Sequence, residues 1–171
     1  MTNSGSNQLR ELLVEFRDRF KTPAVGGAII TRSGSLEVSV VGNRRFRDVN
    51  PATVDDQWHI GSCAKAMTAA LYAQLVERGL AEWGIPIGSL FPDLGHTIEA
   101  AWSEPTVDEV LLCRSGMDAN LSRPKMLAAW ENNSPLIEQR TQAVVSALSG
   151  APRSRGSFRY SNLGYIVVGA A

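Results

Sequence analysis

The sequence predicts an α+β chain, an antiparallel sheet flanked by helices and joined to an all-helical region. Three observations carry that reading. Leu9, Leu12, Leu13, Phe16 and Phe20 recur at helical spacing. Two β-type apolar runs, Ala24 to Thr31 and Leu36 to Val41, flank the turn residues Arg32-Ser33-Gly34-Ser35, which is a hairpin signature. Beyond residue 62 the apolar residues fall mostly into helix-length stretches separated by Gly- and Pro-rich loops.

Taken in order, the periodicity places an amphipathic helix over residues 7–20, and Thr22-Pro23 ends it. The hairpin follows, with Gly27 marking either a close backbone approach or a bulge. Residues 42–57 are polar, contain Pro51 and read as a loop. The apolar run Trp58-His59-Ile60 is strand-like and leads into a Gly61-Ser62 turn. A helix is predicted from Cys63 to Arg78, stopped by Gly79, with Met67, Ala70, Leu71 and Leu75 as the face toward a core. Leu80 to Gly95 reads as a structured loop. Thr106-Val107-Asp108-Glu109 is a capping box that opens a short helix, stopped near Ser115-Gly116. Helices are expected over 124–133 and 136–148, the first carrying Met126, Leu127 and Trp130, the second Ile137, Val144, Val145 and Leu148. The chain closes on an apolar run from Leu163 to Ala171, and a helix that apolar should be buried. Two strands alone are marginal. Both features create an expectation of further strands downstream, or of a second chain that completes the sheet.

Composition excludes several classes of function. The chain has 171 residues, 17 basic and 17 acidic, for a formal net charge of zero. Its arginines are scattered, so neither nucleic acid nor an anionic membrane is an expected partner. Cys63 and Cys113 are too few for a disulfide framework and lack metal-ligand spacing, and with only His59 and His96 no histidine-rich metal site is expected. No cofactor is called for. Met1 to Gln8 lacks a basic segment followed by an apolar one, so the expected location is the cytoplasm. There is no G-x-S-x-G elbow and no Gly-rich phosphate loop.

Chemistry concentrates at Gly61-Ser62-Cys63-Ala64-Lys65. Residues i and i+3 share a helix face, so the Ser62 hydroxyl and the Lys65 amine can meet. A serine hydroxyl becomes a useful nucleophile only when a base takes its proton, and a lysine with a lowered pKa can be that base. Backbone N–H groups at a helix N-terminus can stabilise an oxyanion. S-x-x-K alone is a weak signal, because Ser122-Arg123-Pro124-Lys125 repeats it. That copy has an internal proline and reads as a helix start with a solvated lysine.

Three stretches in order add specificity: Ser62-Cys63-Ala64-Lys65, Pro105 to Gly116, and Arg155-Gly156-Ser157-Phe158-Arg159-Tyr160-Ser161-Asn162-Leu163-Gly164-Tyr165. Together they make the chain resemble the serine β-lactamase-like superfamily, closest to class C β-lactamases, DD-peptidases and related esterases, from about residue 9 to the last residue. The resemblance implies a β-lactamase/transpeptidase-like fold, of which residues 1–171 are the N-terminal part of one domain. Residues 22–62 would form the sheet hairpin and nucleophile turn. Residues 63–171 would form the mainly helical region that ends at the Tyr-x-Asn motif. It also implies roles. Ser62 would be the acylated nucleophile, Lys65 its proton acceptor and Tyr160 a second acid/base. Asn162 would bond the substrate amide or position Lys65, Ser161 would join it in substrate binding, and the Ser62 N–H would be one oxyanion donor. A tyrosine and a lysine can share a proton when one stabilises the charged form of the other. Cys113 stands in a segment that is mostly structural in the family. No third motif of the Lys-Thr-Gly or His-x-Gly type follows Asn162. The implied activity is hydrolysis of a small ester, amide or β-lactam through an acyl-enzyme. The alternative is a catalytically incomplete fragment or a ligand-binding homologue that lacks the third motif.

Overall fold

The computed structural model describes residues 4–34 and 36–171, and Ser35, the last residue of the expected turn, lies outside them. The chain divides into two compact units, one through His59 and one from Ile60 onward. The division falls just ahead of the Gly61-Ser62 turn, so Ser62 belongs with the helices and not with the hairpin.

In the first unit, helix α1 (Ser4–Phe20) packs on the antiparallel pair β1 (Ala24–Ile30) and β2 (Leu36–Gly42). Lys21 takes a positive φ of 54° and ends the helix before Pro23. The strands pair without interruption from Ala24↔Gly42 to Ile30↔Leu36, so Gly27 sits in no bulge. It marks a close approach instead, because a Cβ there would stand 3.0 Å from Leu13 Cδ2. Leu9, Leu13 and Val41 form a small core, while Ile30, Leu36 and Val38 are exposed.

The second unit holds the larger core, around Ile87, Trp102, Val107, Val110, Val144, Leu148 and Val167. Helix α2 (Ala64–Glu77) follows a 3-10 turn, Gly61–Cys63, and ends in a Schellman arrangement. Gly79, at φ +68°, donates to Val76 O at 2.9 Å, and Leu80 donates to Leu75 O at 2.9 Å. The stretch expected as a loop, 80–95, carries two 3-10 turns, Ile87–Leu90 and Pro92–Leu94, and a third lies at Ala100–Ser103. The remaining helices are α3 (Val107–Leu111), α4 (Arg123–Glu131), α5 (Leu136–Leu148) and α6 (Asn162–Val168). Both halves of the predicted capping box are present, Glu109 N–H on Thr106 Oγ1 at 3.4 Å and Thr106 N–H on Glu109 Oε2 at 2.9 Å. Among the described residues no helix is long and apolar enough to cross a membrane.

Three local expectations change. Trp58 to Ile60 is irregular and not a strand, since no described segment pairs with it. The buried side of α2 is not the predicted stripe, because Met67 and Leu71 are 64% and 58% exposed. Tyr72 is buried there instead, and Val76 packs against the core. Tyr72 also donates its phenol to Glu82 O at 2.8 Å, a polar anchor that hydropathy counting does not register. Finally, α4 buries none of its residues, and Leu127 and Trp130 are exposed.

Candidate active site

Ser62 sits in the 3-10 turn that opens α2, and Lys65 occupies the first turn of that helix. The spacing brings Lys65 Nζ to 3.2 Å from Ser62 Oγ. The third group arrives from 98 residues along the chain, where Tyr160 Oη donates to Ser62 Oγ at 2.7 Å. Lys65 Nζ also donates to Asn162 Oδ1 at 2.6 Å, and it lies 4.9 Å from the centre of the Tyr160 ring. Ser62, Lys65, Tyr160 and Asn162 therefore meet in one place.

A cradle of residues 113–120 fixes the segment that delivers Tyr160. Arg153 N–H donates to Gly116 O at 2.8 Å, Gly156 N–H to Arg114 O at 2.7 Å and Arg159 N–H to Cys113 O at 2.8 Å. Gly116 has φ +82°, and a Cβ there would lie 2.6 Å from Arg153 O, so the close approach of the two strands of chain requires glycine. Cys113 is buried and packs at this turn, as expected of a structural residue. Arg155 bonds both carboxylate oxygens of Glu109 at 3.1 Å and also pairs with Glu104, which ties the loop to the capped end of α3. Burial pushes the Glu109 carboxyl up, but Arg155 and the Thr106 N–H outweigh it and leave the pKa below its ordinary value.

Ser161 is not available to a substrate. It is 2% exposed, its hydroxyl donates to Asp118 O at 2.7 Å and accepts from Gly164 N–H at 2.9 Å, and it is the N-cap of α6. The period-two alternation of an extended segment turns residue 161 inward when 160 and 162 face the site. Asn162 N–H donates to Ala119 O at 2.8 Å, and its side-chain amide donates to Asn120 Oδ1 at 2.9 Å. Asn120 thus orients the amide so that its oxygen faces Lys65. The sequence offers no signal for that residue. Tyr165 is a second addition. Its ring centre is 5.5 Å from Lys65 Nζ, and its place three residues after Asn162 on a helix is a signal the sequence does contain.

The two tyrosines differ electrostatically. The Lys65 ammonium, together with the hydrogen bond to Ser62, holds the Tyr160 phenol below the ordinary tyrosine value. Burial pushes Tyr165 the other way, and Tyr165 donates to Leu111 O at 2.8 Å. Beside this cluster opens a cleft of about 710 Å³, bordered by Gly61, Lys65, Thr68, Asn162 and Tyr165 and extending to α4 and α5. Among the described residues no group of three or more His, Cys, Asp or Glu side chains gathers to hold a metal.

Known proteins share this fold. A family model described as Beta-lactamase matches residues 9–171. The acyltransferase mokF of Monascus pilosus is 32% identical over 101 residues, which is 54% of this chain and 24% of that protein. Among solved structures, the D-amino acid amidase from Ochrobactrum anthropi SV3 complexed with L-phenylalanine superposes with a TM-score of 0.70 at 22% identity, over 95% of this chain and 43% of its own. An octameric penicillin-binding protein homologue from Pyrococcus abyssi gives a TM-score of 0.71 at 22% identity, over 97% of this chain and 38% of its own. The chain spans less than half the length of each of these proteins. The family match over nearly all of its residues means that the chain belongs to the beta-lactamase family.

Proposed function

We propose that the chain carries the nucleophile and acid/base groups of a serine hydrolase that acts by acyl transfer on a small ester, amide or β-lactam. The observation that supports this best is the meeting of the Tyr160 phenol and the Lys65 amine on Ser62 Oγ, at 2.7 and 3.2 Å.

In this reading the positive charge of Lys65 favours the phenolate of Tyr160, which accepts the Ser62 proton. Where the family resemblance makes Lys65 the proton acceptor, this reading gives that role to Tyr160, whose phenol the neighbouring Lys65 holds below the ordinary tyrosine value. Ser62 Oγ attacks the carbonyl carbon, and the Ser62 N–H donates to the resulting oxyanion. As the tetrahedral intermediate collapses, Tyr160 gives its proton to the leaving oxygen or nitrogen, and the acyl group remains on Ser62 as an ester. Water then attacks the acyl carbon and hands a proton to Tyr160, and the acid departs as Ser62 takes that proton back. Asn162 holds Lys65 through Oδ1.

The likeness to an acyltransferase favours a second acceptor, in which an alcohol replaces water in the last step. Product analysis with and without a small alcohol separates the two. The primary test is labelling of the full-length protein with a fluorescent penicillin or a fluorophosphonate, followed by peptide mass analysis. An adduct on Ser62 that is lost in Ser62→Ala is the expected result. An unlabelled Ser62 removes the hydrolase reading, and an adduct that forms without turnover favours the ligand-binding alternative.

A further inference from the structure

The cleft beside Ser62 has a charge pattern that the reaction itself does not require. Each of four helices presents it with one face at helical spacing: Lys65 and Thr68 on α2, Lys125 and Ala129 on α4, Leu136 and Arg140 on α5, Asn162 and Tyr165 on α6. Two of the three lysines of the chain, Lys65 and Lys125, border this one cleft, and Arg140 is a third cation on it. No acidic residue lines it, although Glu131 and Glu138 lie on the same helices, α4 and α5. Among the described residues neither Lys125 nor Arg140 forms an ion pair with a carboxylate, and the one bond of Arg140 goes to the backbone oxygen of Gly169 at 3.1 Å. Arg155, by contrast, pairs with both Glu104 and Glu109. Lys65 is already engaged with Ser62 and Asn162, so the free charge sits on the α4–α5 side of the cleft.

We propose that this cleft selects substrates whose acyl portion ends in a carboxylate, received by Lys125 and Arg140, with an aliphatic stem lying along Leu121 and Leu136. The proposal rests on the serine hydrolase reading for the orientation of the substrate. Its physical basis does not, because a cavity bordered by unpaired cations and no carboxylate raises the local concentration of anions whatever chemistry follows. The pairing is a matter of charge-assisted hydrogen bonds, with Arg140 offering a planar fork and Lys125 a point charge. The lysine of the second S-x-x-K copy, expected from the sequence to be solvated, then has a function of its own, separate from that of the first.

The test compares para-nitrophenyl hemiesters of glutarate and adipate with the matching ω-amide esters, which have the same length and no charge. The expected result is a kcat/KM higher for the carboxylates by roughly tenfold to a hundredfold at low salt, narrowing as salt is added. Lys125→Gln and Arg140→Gln should each bring that ratio toward one, with folding verified by circular dichroism. Equal rates for the charged and neutral esters overturn the proposal and leave the hydrolase reading standing. If no ester is turned over and Ser62 takes no fluorophosphonate, the hydrolase reading has failed, and a titration with free glutarate against glutaramide decides the cleft by itself. Saturable glutarate binding that weakens in both variants upholds the anion site, and its absence overturns it.

Discussion

Tyr160 and Tyr165 both have their rings within 5.5 Å of Lys65 Nζ, yet their phenols respond in opposite directions. Tyr165 is partly buried and bonded to a backbone oxygen, so ionisation is costly there. Tyr160 is 45% exposed and close to a cation, so its ionised form is favoured. A base works only when deprotonated, and kcat/KM should therefore rise with pH through a limb whose apparent pKa lies below the ordinary tyrosine value of about 10. Tyr160→Phe should abolish that limb and lower kcat/KM by about 10²–10⁴-fold, the usual span for a general base. Lys65→Met should move the limb of any residual activity upward. A pH–rate profile of the three proteins checks both statements, and a limb that persists in Tyr160→Phe would assign the base elsewhere.

Two elements owe their placement to contacts that a single substitution removes. Ser161 caps α6 and holds Asp118 O, so Ser161→Ala should cost about 1–2 kcal/mol, read as a fall in the midpoint of thermal unfolding. A substrate-binding role would instead raise KM with no loss of stability. Gly116 holds the cradle turn against Arg153. In Gly116→Ala the left-handed conformation and the contact with Arg153 O act together, and roughly 1–3 kcal/mol of stability should be lost. Because that turn delivers Tyr160, a fall in activity beyond the loss of folded protein is expected in the same variant. Assays well below the unfolding midpoint separate the two effects.

The two units differ in how much apolar surface each encloses. Among the described residues the first has three buried residues at its centre, Leu9, Leu13 and Val41, whereas the second gathers a dozen, among them Trp102, whose indole N–H donates to Gly150 O at 2.7 Å. Local opening free energy follows buried contact, so amides of β1 and β2 should exchange hydrogen through smaller openings than those of α5 and α6. Native-state hydrogen exchange measures this directly, and equal protection in the two sets would mean that the hairpin is stabilised by more than its own small core. At this scale the exposed apolar stripe of α2, Met67 and Leu71, belongs to no core described in either unit.

Much of this molecule follows from rules that act over a few residues. The helical spacing of Leu9, Leu13 and Phe16 gives α1, the turn between two β-type runs gives the hairpin, Thr106 and Glu109 cap α3, and Gly79 closes α2. Each is legible because its partners lie within about one turn of chain or across one hairpin. The meeting of Ser62 with Lys65 belongs to the same class. The motif order also pointed to Tyr160, but its approach to Ser62 across 98 residues depends on the 113–120 cradle, whose bonds are mostly backbone to backbone and leave no residue-type signature. Tertiary packing alone decided that Tyr72 and not Met67 faces the core, that Ser161 turns inward, that Asn120 steadies Asn162, and that Lys125 and Arg140 border one cleft. The physical reason is common to all four: burial and electrostatic environment are set by what packs from other elements, and neither is a property of the residue's own stretch of sequence.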